Sequence, residues 1–342
     1  MPGGDHGSYF QQWDMPHGKK GMKNVIAVIA GKKPEFDHES VVIAAHYDHL
    51  GLGMSVGRSE DRGKVHPGAD DNASGVAVLL ELARVLKGSL NPDRSIVFAA
   101  FTGEEEGKLG SMYYVRNEKR YPVGQCIGMV NLDTVGRLGG KKLLVLGAGS
   151  AAEWVHILRG AGFVTGIDIE TVSEELDSSD QKSFQDAGVP AVQLFSGPHL
   201  DYHRPTDTAD KIDAAGLVKV ASVAKEVIEY LASREEPLSS ALKPGAPAEP
   251  SSKPERKVSL GTVPDFAYQG RGIRLSGVAP GSPAEAAGLR EGDVIVSIND
   301  REVKGLKGLS DVLKSLSPDD RISVTFLRDG GERNVQAVVK GK

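Results

Sequence analysis

The sequence has little of what would mark a special class of protein. A single cysteine, Cys126, occurs in 342 residues. No intramolecular disulfide can form, and a thiolate-rich metal site is excluded. Cys126 lies in the apolar run Cys126-Ile127-Gly128-Met129-Val130 and reads as a small buried hydrophobe. No run is long and apolar enough to span a bilayer as a helix. Net charge is small: 41 Lys and Arg against 46 Asp and Glu leave −5, too weak and wrong in sign for a nucleic-acid binder. The first twenty residues lack the basic start and apolar centre of a signal peptide. Two readings follow, a cytoplasmic protein or a secreted or periplasmic one whose leader is absent from this chain, and the second is preferred.

What remains is ordinary globular composition, 39% hydrophobic and 25% charged. At roughly 100–200 residues per domain, the length suggests two domains. Short apolar, β-branched runs at 25–30, 41–45, 96–101, 127–132, 143–146 and 191–194 predict strands. Helical periods fall at 73–86, 151–158 and 214–231, the first with Val76, Leu79, Leu80, Ala83 and Leu86 on one face. Such alternation predicts an α/β sandwich around a mixed, largely parallel sheet. Functional residues then gather past the carboxyl ends of strands. From 234 to 257 the chain turns rich in Pro, Ser and Ala and reads as a linker. The expected organisation is a domain at 1–233, the linker at 234–257 and a small domain at 258–342.

The polar residues cluster where that fold puts function. The strand at 41–45 runs into His46-Tyr47-Asp48, a possible ligand imidazole with a carboxylate to orient it. Gly68-Ala69-Asp70-Asp71-Asn72 precedes a helix, where carboxylates either cap it or bridge cations. The strand at 96–101 ends in Glu104-Glu105-Glu106, three carboxylates that repel one another unless cations neutralise them. Asp133 follows the strand at 127–132, and His203 lies in the loop before the last helix. Each motif alone has a bland explanation. Two histidines and several carboxylates at one sheet rim, without thiolate, together match a hydrolytic two-metal site, with ions about 3.5–4 Å apart.

These segments resemble the M28 family of co-catalytic zinc aminopeptidases. The resemblance rests on Ala44-Ala45-His46-Tyr47-Asp48-His49-Leu50-Gly51, Gly68 to Gly75, Thr102 to Gly107, Asn131-Leu132-Asp133 and Asp201 to Thr208, in the family's order. It covers about residues 23 to 233 and implies a three-layer α/β sandwich of the zinc-peptidase type with two Zn2+ ions. By motif, His46 and Asp133 would bind one zinc, Glu105 and His203 the other, and Asp71 would bridge them, with a cis peptide before Asn72. Glu104 would be the general base and acid, Asp48 would orient His46, and Tyr202 would stabilise the oxyanion. His49, His66 and His199 read as supporting side chains. One departure stands out: where relatives carry Ser-Asp-His, this chain has Ser179-Asp180-Gln181, so side-chain preference cannot be copied.

The final segment resembles a bacterial-type PDZ domain, a small β-rich fold. Ser282 reads as an N-cap with Pro283 in the first helical turn, Gly288 as the helix end and Gly292-Asp293 as a turn. In that family an extended peptide adds to a strand edge with its carboxylate held by backbone N–H groups. The loop Ser259-Leu260-Gly261-Thr262 is the candidate here. A helix at 309–316 flanks it, with Leu309, Val312 and Leu313 either facing the groove or packing the core. The implied activity is removal of N-terminal residues from peptides. The partners are peptide substrates and a peptide C-terminus or protein at the PDZ domain, with no nucleic acid and no membrane span. The alternatives are a carboxypeptidase or other amidohydrolase on the same scaffold, or a catalytically silent peptide-binding protein.

Overall fold

The computed structural model describes residues 1–15, 20–54, 59–243, 257–268 and 270–341. By internal contacts the chain divides into two units. One comprises Met1–Leu50, Pro67–Gly197 and Thr206–Pro250; the other comprises Gly51–His66, Pro198–Pro205 and Ser251–Lys342.

Among the described residues the first unit is built on eight strands: β1 (Phe10–Trp13), β2 (Met22–Ile29), β3 (Ser40–His46), β4 (Ser95–Phe101), β5 (Cys126–Leu132), β6 (Leu143–Leu146), β7 (Ile169–Val172) and β8 (Ala191–Phe195). They form one sheet in the order β1-β2-β4-β3-β5-β8-β6-β7. The central pairs β4–β3, β3–β5 and β5–β8 are parallel, as is β6–β7, while β1, β2 and β6 add antiparallel contacts. Among the described residues five α-helices cover the faces: α1 (Gly75–Ser89), α2 (Leu109–Asn117), α3 (Trp154–Thr165), α4 (Gln181–Asp186) and α5 (Ala214–Ser233).

The strands are apolar without a break because both faces are covered, as in parallel sheets generally. In β3, Val41, Ile43 and Ala45 pack with α1, α3 and α5, whereas Val42 and Ala44 point to the opposite layer. That second layer holds Tyr114 of α2 and Phe184 of α4. Their rings lie 5.9 Å apart, and each also packs against Phe101 of β4. The result is helix, sheet, helix.

Two details differ from the sequence expectation. α1 is apolar nearly all round, and its buried side is Val78, Leu79, Leu82 and Leu86, leaving Leu80 66% exposed. The face that meets the sheet is set by where the helix starts, after an irregular turn at Ala69–Ser74. The stretch 234–243, read as linker, is tied to the first unit. Leu238 is buried in its core, and Ser239 donates from N and Oγ to Glu153. Arg94, fully buried, pairs with Glu39, stacks over Phe36 and donates to the carbonyls of Arg234 and Glu235. A buried guanidinium that bonds through each of its three nitrogens, two of them to this polar stretch, explains why the stretch stays docked. Residues 244–256 of the expected linker lie outside the described residues.

The second unit contains β9 (Val258–Ser259), β10 (Thr262–Pro264), β11 (Ile273–Val278), α6 (Pro283–Ala286), β12 (Val294–Ile298), β13 (Arg301–Glu302), α7 (Gly305–Lys314), β14 (Arg321–Arg328), β15 (Gly331–Val338) and β16 (Lys340–Gly341). β10-β11-β12-β14-β15 form a sheet with β13 on β12, and β9 pairs with β16. Ser282 caps α6, its Oγ accepting from Glu285 N at 3.2 Å, with Pro283 in the first turn. The candidate groove residues Leu309, Val312 and Leu313 are all buried, in one cluster with Val258, Leu260, Ile295 and Val324. A domain this small draws on α7 for its core, so these side chains are core and not a free groove wall. No helix among the described residues is long and apolar enough to cross a membrane.

Candidate metal centre

Parallel pairing of β4, β3 and β5 brings their carboxyl ends to one rim, with His46 in register with Phe101 and Ala44 with Asn131. His46 ends β3, Asp133 follows β5, and Glu104 and Glu105 lie just beyond β4. Asp71 comes from the turn before α1, which contains a cis peptide between Asp71 and Asn72.

A network of backbone N–H donors fixes that turn. Asp207 is fully buried; its Oδ2 accepts from Asp70 N at 2.9 Å and Asp71 N at 3.1 Å, and its Oδ1 accepts from Arg137 at 2.9 Å. Asn72 Nδ2 donates to Leu132 O, and its Oδ1 accepts from Gly75 N and Thr134 N. Gly75 must be glycine: an added Cβ would lie 2.4 Å from both Asn72 Oδ1 and Leu132 O. Asp207 was within a quoted motif but carried no expected role. Only the structure reveals it as the clamp of a turn 136 residues away.

Within the rim, His46 Nε2 lies 3.2 Å from Asp71 Oδ1 and 3.5 Å from Asp133 Oδ1. It is buried. The other ring nitrogen, Nδ1, sits 3.1 Å from the Asp48 carbonyl, which can only accept, so Nδ1 carries a proton. Asp48 was expected to orient His46 through its carboxylate. That group is farther, at 3.7 Å, and is engaged elsewhere, accepting from Glu104 N at 3.1 Å and Glu105 N at 3.3 Å. Asp48 thus fixes the ring with its backbone and the glutamate turn with its side chain. Thr134 Oγ1 donates to Asp133 Oδ1 at 2.9 Å.

A second group adjoins the first. His49 Nδ1 lies 2.8 Å from Glu105 Oε1 and 4.0 Å from Asp71 Oδ2. Asp71 therefore shows one oxygen to each histidine, and both triads, His46-Asp71-Asp133 and His49-Asp71-Glu105, have donor atoms close enough to hold an ion. Glu104 belongs to neither.

Burial opposes a charged His46, but Asp133, Asp71 and Glu104 outweigh it and hold its pKa well above the ordinary range. The same field that retains a proton on Nε2 favours a cation there. Burial, with Asp180, Glu105 and Asp133 adding repulsion against the pull of His46, holds the Glu104 carboxyl well above its usual value. The donors are imidazole and carboxylate with no thiol, and they fit zinc bound through nitrogen and oxygen.

His203 and Tyr202 lie in Pro198–Pro205, a segment of the second unit, so their part in the centre rests on their motif. His203 is buried, and the Tyr202 ring, 47% exposed, stacks on it at 3.9 Å. His66 and His199 also belong to the second unit, with His66 Nδ1 held 3.0 Å from Lys64 O. Gln181, at the departure from the family pattern, turns inward: it donates to Ser178 Oγ at 2.9 Å and accepts from Asn131 Nδ2 at 3.3 Å.

Its neighbour Asp180 is fully buried. Burial, reinforced by Asp48 and Asp133, pushes its pKa up to about 6, against the pull of His46 and a hydrogen bond from Ser111. The folded state therefore binds this proton more tightly than the unfolded chain. Its contribution to stability is complete below about pH 4 and is lost as pH rises through about 6. Two units correspond to about 3 kcal/mol. Asp180→Asn should raise the urea midpoint of the metal-free protein at pH 8 and leave it nearly unchanged at pH 4. A lower midpoint at pH 8 would refute this account.

A mixed α/β sandwich with carboxylates and imidazoles along the parallel rim defines the class, a metallopeptidase scaffold. Comparison with known proteins agrees. Residues 24–228 match the model of peptidase family M28, so the chain belongs to that family. Residues 253–339 match the PDZ domain. The chain is 32% identical over 206 residues to aminopeptidase YwaD of Bacillus subtilis, covering 57% of this chain and 41% of that protein. It is 34% identical over 247 residues to a probable zinc metalloprotease of Pyricularia oryzae, covering 61% and 46%. The chain thus spans less than half the length of these relatives. Among solved structures it resembles an aminopeptidase from Aneurinibacillus sp. strain AM-1 (TM-score 0.51, 30% identity, 65% of this chain and 51% of that one). It also resembles BSAP, a zinc aminopeptidase from Bacillus subtilis (TM-score 0.54, 27% identity, 63% and 51%).

Proposed function

We propose that this protein is a two-zinc exopeptidase that removes N-terminal residues from peptides. The observation that carries the reading is Asp71, whose two oxygens face the two histidine–carboxylate groups separately. When bound, a pair of zinc ions would supply a Lewis acid for the scissile carbonyl and acidify the attacking water. His46, Asp71 and Asp133 would hold one ion, and Asp71 and Glu105 the other, with His203 assigned to it by motif. Relatives named as aminopeptidases and zinc metalloproteases support the choice of reaction and metal.

The chain's own chemistry centres on Glu104. Its carboxylate takes a proton from the attacking water as the oxygen bonds to the carbonyl carbon. It returns that proton to the amide nitrogen as the C–N bond breaks. Asp48, by holding the N–H groups of both Glu104 and Glu105, keeps base and ligand on one rigid turn. Tyr202 is assigned to the oxyanion by resemblance.

Purified protein should contain zinc by elemental analysis and cleave aminoacyl p-nitroanilides. A chelator should abolish cleavage and zinc restore it. Equal cleavage of N-acetylated substrates would remove the exopeptidase assignment, and absence of any bound metal after zinc loading would remove the whole reading. For the PDZ domain we propose capture of peptide C-termini by backbone N–H groups. Peptides with free C-termini should be retained on the immobilised protein and their amidated counterparts should not; equal retention rejects this.

A further inference from the structure

His49 was expected only as a supporting side chain near the motifs, and its geometry defines a specific task. Zinc bonds of about 2.0–2.2 Å in tetrahedral array separate neighbouring ligand atoms by about 3.3–3.6 Å. Of the His46 separations, 3.5 Å to Asp133 falls in that range and 3.2 Å to Asp71 is just below it. The His49 separations depart further. Its 2.8 Å to Glu105 is shorter than an edge, and its 4.0 Å to Asp71 is longer. A distance of about 2.7–2.9 Å between a ring nitrogen and a carboxylate is that of a charge-assisted hydrogen bond.

We infer that His49 is the positioning residue for Glu105: its Nδ1–H donates to Glu105 Oε1, which turns the other carboxylate oxygen toward the cation shared with Asp71. The inference rests on the two-metal reading above. An ionised carboxylate can only accept, so Nδ1 must carry the proton and the tautomer is fixed. Gly68 leaves the space that the ring occupies. That residue has φ +62°, and a Cβ there would lie 2.6 Å from His49 Cγ and Cδ2. The backbone thus leaves room for this ring, and the ring spans from the Asp71 turn to the Glu105 turn. Metal-ligating carboxylates are held in this way, and loss of such a partner costs about 10–100-fold in metal affinity.

The test is stepwise zinc binding to the full chain by calorimetry, with circular dichroism to confirm folding. In His49→Ala the first ion should bind as in wild type and the second about 10–100-fold more weakly. His49→Asn, whose side-chain N–H can occupy the place of Nδ1–H, should recover most of that loss. Unchanged second-ion affinity in His49→Ala, or an Asn variant as weak as Ala, overturns the inference. A direct readout separates donor from ligand. In nitrogen-15-labelled protein loaded with cadmium-113, His46 should show one-bond coupling to the metal and His49 none, with its Nδ1 protonated. Coupling to His49 would make it a ligand and overturn the positioning role. A wild-type chain that binds no zinc at all would instead strike the two-metal reading.

Discussion

Glu104→Gln is expected to retain zinc and fold while kcat falls about 10³-fold, within the range that a general acid–base catalyst contributes. KM should change little, because the side chain belongs to neither ligand group. The amide keeps the shape of the carboxylate and removes only its capacity to accept and return a proton. The pH profile gives a sharper check. Burial is the leading reason that the Glu104 carboxyl titrates above its ordinary range, and the neighbouring carboxylates Asp180, Glu105 and Asp133 add to it. Cations on those carboxylates would relieve the repulsion and would themselves favour the ionised form, opposing burial. The base works ionised, so activity should fall as pH drops through the Glu104 pKa, and that pKa should lie lower with zinc bound than in the metal-free protein. That acid limb should be absent from the residual rate of Glu104→Gln. A variant with wild-type kcat would remove Glu104 from the mechanism.

The rim was legible in the sequence because its residues sit at strand ends, and strand ends are marked by the change from β-branched apolar runs to polar groups. Leu143–Leu146 appears in the structure as read, and the central strands differ by a residue or two. Elements with weaker contrast were not legible. α2 follows the glutamate triplet with Gly110, Ser111 and Asn117 diluting its period, and edge strand β7, Ile169–Val172, mixes Glu and Thr into a half-buried surface. The contributions of His49, Asp207 and Asp48 were hidden for a different reason. Each depends on hydrogen-bond or ion-pair distances between turns far apart in the chain, and composition and period carry no record of such distances. The departure at Gln181 was visible as a letter. Its meaning was not, because only the structure turns the amide inward to Asn131 and Ser178.

Asp71→Asn should have the largest effect on metal content. Its two oxygens face His46 and His49 from opposite sides of one carboxylate, so replacing one of them by an amide N–H both removes a ligand atom and points a donor at a cation. Loss of an outer partner costs about 10–100-fold in metal affinity, and loss of a shared ligand should exceed that at both positions. After dialysis against a zinc buffer, Asp71→Asn should therefore retain neither ion, and excess zinc should not restore hydrolysis. Asp133→Asn supplies the contrast. Asp133 belongs to the His46 group alone, so that variant should lose one ion and keep the other. If the Asp71 variant also kept one ion, or if both variants lost metal equally, the carboxylate would not be shared. The centre would then be two independent sites, or one. Circular dichroism decides whether a variant is folded, and the expectation is that both are. The turn that carries Asp71 is held by its backbone N–H groups on Asp207, which neither substitution touches.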